Sequence, residues 1–149
     1  MSEFNKYLSS ERVAVIDAKT KLQAIDGTLN LLKDSPNISD FSRVSSAIWQ
    51  REEALATGLG LGIGAPHVRI SAVRFPTAAL SVLRKGIEYG SLDNTPVRLI
   101  LLVAMPEESQ TEWLRYLARA SAIFRDDGMR HKLFSAPDSE ALWNLVKDY

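Results

Sequence analysis

Val97-Arg98-Leu99-Ile100-Leu101-Leu102-Val103 is a near-continuous apolar run held between Pro96 and Pro106. Its length and its aliphatic side chains fit a strand buried on both faces, at the centre of a covered sheet. Downstream, Ser109 and Glu112 form an S-x-x-E pattern that predicts a capping box. The helix it opens carries Trp113, Leu114, Leu117, Ala120 and Ile123 and ends near Arg125. Asp126, Asp127 and Gly128 break the chain, a short helix follows over Met129 to Phe134, and a last one starts at Ser139 with Leu142, Trp143 and Val146.

Upstream, Val68 to Phe75 and Leu80 to Leu83 read as strands with partial period-2 alternation. A helix is predicted from about Asp40 to Leu55, with Val44, Ile48 and Leu55 on one face and Arg51, Glu52 and Glu53 near its end. Val13 to Ile16 is a short apolar strand. Asp17 or Thr20 then offers an N-cap for a helix carrying Leu22, Ile25, Leu29 and Leu32, and Ser35-Pro36-Asn37 ends it. Strands and helices interleave. The expected fold is α/β: a single three-layer domain over residues 1–149, a mixed β-sheet flanked by helices on both faces.

Composition narrows the function. The chain has 149 residues, 46% hydrophobic and 24% charged, as in a globular protein. Lys+Arg and Asp+Glu both number 18, so the basic excess of a nucleic-acid binder is missing and no nucleic-acid partner is expected. No cysteine is present, which removes disulfides and thiolate metal sites and fits a reducing compartment. The start MSEFNKYLSSERV has no apolar core, and the longest uncharged run, Ala54 to Val68, is too short to span a bilayer. The expectation is a complete, cytoplasmic protein with no stable membrane insertion.

The chemistry concentrates in Thr57-Gly58-Leu59-Gly60-Leu61-Gly62-Ile63-Gly64-Ala65-Pro66-His67. With glycines at every second position, Leu59, Leu61 and Ile63 are expected to face a core while the other side is left bare. Pro66 stiffens the backbone, so His67 is expected beside an exposed row of N–H groups. Neutral imidazole is a nucleophile near pH 7, and convergent N–H groups stabilise a phosphoryl dianion. A loop histidine or a bulged strand is the plainer alternative. No Lys-Ser or Lys-Thr follows the glycines and G-x-G-x-x-G is not matched, so neither a P-loop nor a Rossmann fingerprint applies.

Taken with Arg51-Glu52, this stretch resembles the signature of enzyme IIA domains of the fructose/mannitol type, from the bacterial phosphoenolpyruvate-dependent phosphotransferase system, and of the nitrogen-related enzyme IIA proteins. That signature reads roughly R-E, then s-T-G-i-G-x-G-i-A-i-P-H, and this chain departs from it at Gly64 and Ala65. Lys19-Thr20-Lys21, Asp93-Asn94-Thr95-Pro96-Val97 and the closing helices also look like the family.

The resemblance implies that His67 is the phosphoacceptor. It would take a phosphoryl group from HPr or a nitrogen-branch counterpart and pass it to a cysteine of an enzyme IIB domain. It implies that Arg51 helps hold the phosphoryl group, the alternative being a solvated helix-end residue. Thr57 would orient a pocket group, or be a turn residue. The family's second histidine, beside the phosphoryl site, is replaced by Trp113, which cannot exchange a proton.

No cofactor or metal is implied, and His131 is expected on the surface. The pairs Glu52-Glu53 and Asp126-Asp127 are read as a solvated face and a turn. Docking is expected through a shallow apolar patch that includes Trp113. Two alternatives to a phosphocarrier stay open: a regulatory module whose phosphorylation controls a partner, and a decayed homologue that accepts no phosphate.

Overall fold

The computed structural model describes residues 4–54 and 58–149. After two 3₁₀ turns at Phe4–Tyr7 and Ser10–Arg12 come β1 (Val13–Ile16), α1 (Lys21–Asn30) and α2 (Phe41–Ala54). The glycine-rich segment supplies β2 (Gly58–Gly60), β3 (Ile63–Gly64) and β4 (His67–Arg69). Two long strands follow, β5 (Thr77–Ile87) and β6 (Val97–Met105), and then α3 (Gln110–Arg125), α4 (Asp127–Phe134) and α5 (Ser139–Val146).

The strand order is β1-β5-β6-β3-β2. On one edge β6 pairs antiparallel with β5, which is parallel to β1. On its other edge β6 carries two short parallel partners in succession, β3 against Leu99 and Ile100, then β4 against Val103 to Met105. The sheet is therefore mixed, as expected.

The apolar run behaves as its composition implies. Leu99, Leu101, Val103 and Met105 join one core with residues of α3, α4 and α5. Ile100, Leu102 and Ala104 join the opposite core with residues of α1 and α2. A strand sandwiched in this way needs apolar side chains at odd and even positions alike. Helices cover both faces, and the α/β reading holds.

Several local expectations need correction. The strand predicted over 68–75 stops at Arg69, because its partner β6 ends at Met105 and Pro106 offers no N–H to continue the ladder. Ile70 N–H still donates to the Met105 carbonyl at 3.0 Å, and Val73 then makes only an isolated bridge to Ile38. The strand predicted over 80–83 runs from 77 to 87, its ends disguised by small residues before and by exposed Arg84, Lys85 and Gly86 after.

The capping box at Ser109 does not form. Ser109 is the N-cap residue but its side chain caps nothing, and Glu112 instead accepts from the Tyr7 hydroxyl at 3.1 Å. Thr20, Asp126 and Asp138 do cap, accepting from the N–H groups of Gln23, Met129 and Ala141. Leu22 is exposed, whereas Ile25, Leu29 and Leu32 are buried. Leu55 lies outside the described residues.

Because Leu101 is buried at the middle of the strand on which both cores rest, Leu101→Ala is expected to lower stability by about 2–5 kcal/mol in urea unfolding. Leu92→Ala, at a side chain that is 98% exposed, should stay within about 0.5 kcal/mol of the parent.

Candidate functional site

The glycine segment is a tight hairpin rather than a bare strand. Gly60, Leu61 and Gly62 all have positive φ, at 82°, 58° and 81°, a left-handed run that glycine adopts freely. The Asp93 carboxylate stabilises the turn by accepting from the Leu61 N–H at 2.9 Å. Leu59 and Leu61 are 49% and 47% exposed and only Ile63 enters the core, which corrects the expected alternation. The sides of the glycines are not bare either. A Cβ at Gly62 would stand 3.2 Å from the Phe134 ring, and one at Gly64 would stand 2.9 Å from the Tyr89 ring.

Nor do the hairpin's N–H groups surround the histidine. Gly64 sits opposite Ile100 and His67 opposite Val103. Three residues along β6 amount to roughly 10 Å. The glycines let the hairpin fold back and pack, and in doing so they set the register in which β4 begins.

Two contacts hold His67 itself. Its Nδ1 lies 2.9 Å from the Ala65 carbonyl, a bond in which Nδ1 must be the protonated donor. The Nε2 lone pair is then the ring's nucleophilic atom. The ring also stacks on Trp113 of α3, with centroids 4.2 Å apart and planes 22° from parallel. Pro66 lies between these supports, and its carbonyl accepts from the Val103 N–H at 3.0 Å, which fixes the approach to β4.

His67, Arg51 and Trp113 line one cleft of about 560 Å³, together with Gln50, Arg69, Gln110 and Leu114. Three of the four predicted residues are thus brought together, while Thr57 lies outside the described residues. The sequence reading missed Arg69. In a strand, residues two apart share a face, so His67-Val68-Arg69 carried the signal. Exposed Leu114 is the apolar surface at the cleft, and Trp113 is largely buried beneath the imidazole instead of being part of an open patch. Exposed His131 lies on α4, away from the cleft.

The charge pattern suits an anion. Burial, the largest influence, holds the His67 pKa below its ordinary value. The Ala65 bond opposes the shift, Arg51 reinforces it, Glu52 opposes it, and Arg69 adds a smaller lowering. Glu52 is not on a solvated face as expected: its side chain is 1% exposed and ion-pairs with Lys21 at 3.1 Å. Lys21 in turn lies 4.4 Å over the Tyr89 ring, the ring for which Gly64 makes room. A buried carboxylate needs such pairing, and Lys21 moderates the negative charge that Glu52 would otherwise set beside the cleft. Among the described residues no group of three His, Asp or Glu side chains could hold a metal ion.

Since the folded pKa of His67 is depressed, the unfolded chain binds that proton more readily as pH falls below about 6.5. The ring's contribution to stability is therefore present above that pH and lost on acidification. Urea unfolding of wild type and His67→Asn should show their stability difference moving against wild type between pH 7.5 and pH 5. A pH-independent difference contradicts the assignment.

Comparison with known proteins places the chain in a family. The family described as phosphoenolpyruvate-dependent sugar phosphotransferase system, EIIA 2, matches residues 6–149. The chain is 30% identical over 129 residues to a nitrogen regulatory protein of Pseudomonas aeruginosa, covering 87% of this chain and 84% of that protein. It is 28% identical over 134 residues to a fructose-specific EIIABC component of Bacillus subtilis, covering 90% of this chain but 21% of that longer relative.

Among solved structures, nitrogen regulatory protein IIA-Ntr from Neisseria meningitidis superposes with a TM-score of 0.83 at 24% identity, over 95% of this chain and 97% of that one. The mannitol enzyme IIA of Escherichia coli, solved in complex with phosphorylated enzyme IIB, superposes with a TM-score of 0.78 at 18% identity, over 95% of this chain and 98% of that one. No helix of the described residues is long and apolar enough to cross a membrane. The chain belongs to the EIIA type 2 family of the phosphoenolpyruvate-dependent phosphotransferase system, a family of phosphotransfer proteins.

Proposed function

We propose that this protein is a phosphocarrier in which His67 Nε2 accepts a phosphoryl group from an HPr-type phosphohistidine and passes it to a cysteine of an enzyme IIB. The observation that carries this reading is the Nδ1 bond to Ala65, which leaves Nε2 as the free nucleophile on a ring braced by Trp113. The Nε2–P bond forms as the donor's P–N bond breaks, and the electron pair of that bond returns to the donor imidazole. In the forward step a thiolate attacks phosphorus and Nε2 leaves with its pair.

Arg51 and Arg69 stabilise the transferring group by charge, as residues of the same cleft that both influence His67. The N-terminal turn of α3 adds favourable dipole, since Gln110 also lines the cleft. Support for a IIB acceptor comes from the E. coli mannitol complex, whose partner is phosphorylated IIB. No metal or organic cofactor enters this scheme, and Thr57 is kept as a pocket residue on resemblance alone.

A second reading draws on the Pseudomonas relative, a nitrogen regulatory protein. Here phosphorylation of His67 adds charge to the cleft rim beside Leu114 and switches binding of a regulated protein. Pull-downs with wild type and His67→Asp separate the two readings. A partner other than IIB whose capture depends on the substitution favours regulation.

Given phosphoenolpyruvate, enzyme I and HPr, wild-type protein should acquire an acid-labile phosphoryl label and His67→Ala none. Labelling of His67→Ala at the wild-type level would overturn the assignment. Arg51→Gln is expected to slow labelling about 100-fold, and Arg69→Gln about tenfold, in rapid-quench time courses. Unchanged rates in both would remove the arginines from the mechanism.

A further inference from the structure

The cleft holds no second histidine that could exchange a proton with His67. His131, the only other one, is exposed on α4. What the cleft holds instead is an indole face stacked on the His67 ring, with centroids 4.2 Å apart and planes 22° from parallel. That distance falls within the range at which a cation on an indole face is attracted by its quadrupole.

The charge on the ring follows from the bond already described. With Nδ1 donating to the Ala65 carbonyl, attack by Nε2 on phosphorus leaves both ring nitrogens substituted, one by hydrogen and one by phosphorus. The ring then carries a positive charge and the phosphoryl group its negative charge. We propose, on the basis of the phosphocarrier reading, that Trp113 is a positioning residue for phosphoryl transfer. Its indole face supports the cationic phosphorylated ring, so that the phosphoryl group enters and leaves while the proton stays on Nδ1, donated to the Ala65 carbonyl.

The balance is complete without a proton donor or acceptor. On entry the Nε2 lone pair forms the new P–N bond and the donor imidazole takes back its own pair. On exit a thiolate supplies the pair to phosphorus, the Nε2–P bond breaks toward nitrogen, and the neutral Nδ1–H tautomer of His67 is regenerated. Trp113 thus serves by stacking where another residue would serve by exchanging protons.

The groups facing His67 permit this. From α2 come Arg51 and buried Glu52, which is paired to Lys21, and from β4 comes Arg69. Helix α3 lines the cleft with Gln110, Trp113 and Leu114, none of them charged. Burial and the arginines oppose a cationic ring, and the arginines favour the phosphoryl dianion, whereas the Ala65 bond, Glu52 and the indole face favour the cation. Trp113 is 7% exposed and belongs to the core cluster, so the indole that stacks on the imidazole is held by packing.

The test compares wild type, Trp113→Phe and Trp113→Leu, each checked for fold by dispersed NMR spectra. Two donors are used: HPr in the full system, and phosphoramidate, which phosphorylates imidazole without a protein partner. Ring ¹⁵N shifts of the phosphorylated proteins are followed from pH 6.5 to 8. Wild type and the phenylalanine variant are expected to keep the Nδ1 proton across that range, and the leucine variant to lose it.

Transfer from HPr should be slowed about tenfold at pH 8 in the leucine variant and less at pH 6.5, with KM for HPr unchanged. The phenylalanine variant should remain within about threefold of wild type. Retention of the Nδ1 proton and rate by Trp113→Leu overturns the proposal, and so does equal impairment of Trp113→Phe. If wild type takes no label from HPr, the phosphocarrier reading fails by itself. The phosphoramidate-loaded proteins then still decide whether the indole holds the proton.

Discussion

Everything in the site depends on the free edge of β6. One edge of that strand is filled by β5, and the other receives β3 and then β4, two short parallel partners with Ala65-Pro66 between them. Neither short strand would be stable as an isolated pair. Each is held because β6 is buried on both faces and presents its N–H and C=O groups in a fixed row. The Gly62 carbonyl accepts from the Arg98 and Leu99 N–H groups, and the Pro66 carbonyl accepts from Val103. His67 inherits its position from this row. A flexible loop could not hold a ring between the Ala65 carbonyl and the Trp113 face.

The same arrangement joins packing to electrostatics. Gly64 lacks a side chain because Tyr89 occupies that space, Tyr89 lies under Lys21, and Lys21 pairs with the buried Glu52. The hairpin glycines therefore act on the cleft indirectly, through a chain of contacts that ends at a carboxylate influencing His67. Arg51 and Glu52 are neighbours in sequence but serve opposite purposes, one exposed at the cleft and one buried behind it. Burial favours the neutral imidazole, and Arg51 and Arg69 give the cleft positive charge that suits an anion.

Much of the fold was legible because hydrophobic pattern and burial are nearly the same statement. The run from Val97 to Val103 announced a doubly covered strand, and α2, α3 and α5 appeared within a few residues of their observed bounds. What failed was local chemistry decided by distant partners. Glu112 fits a capping box by spacing, yet its carboxylate is taken by Tyr7, which lies 105 residues away. The strand after His67 ends early because Pro106 ends its partner. The alternation of leucine and glycine suggested an amphipathic strand, but positive φ at three successive residues made it a turn. Of the residues that line the cleft, His67 was singled out by its glycine-rich setting and by resemblance, and Arg51 and Trp113 by resemblance alone. Glu52 was not, since nothing in its own neighbourhood says that Lys21 will bury it.

The central claim is that a single nitrogen, Nε2 of His67, takes the phosphoryl group while Nδ1 stays bound to Ala65. Protein carrying ¹⁵N-labelled histidine, phosphorylated through phosphoenolpyruvate, enzyme I and HPr, tests this by ³¹P–¹⁵N coupling. The account predicts a one-bond coupling from phosphorus to His67 Nε2 and a protonated Nδ1. Coupling to Nδ1, to His131, or to no histidine nitrogen would contradict it.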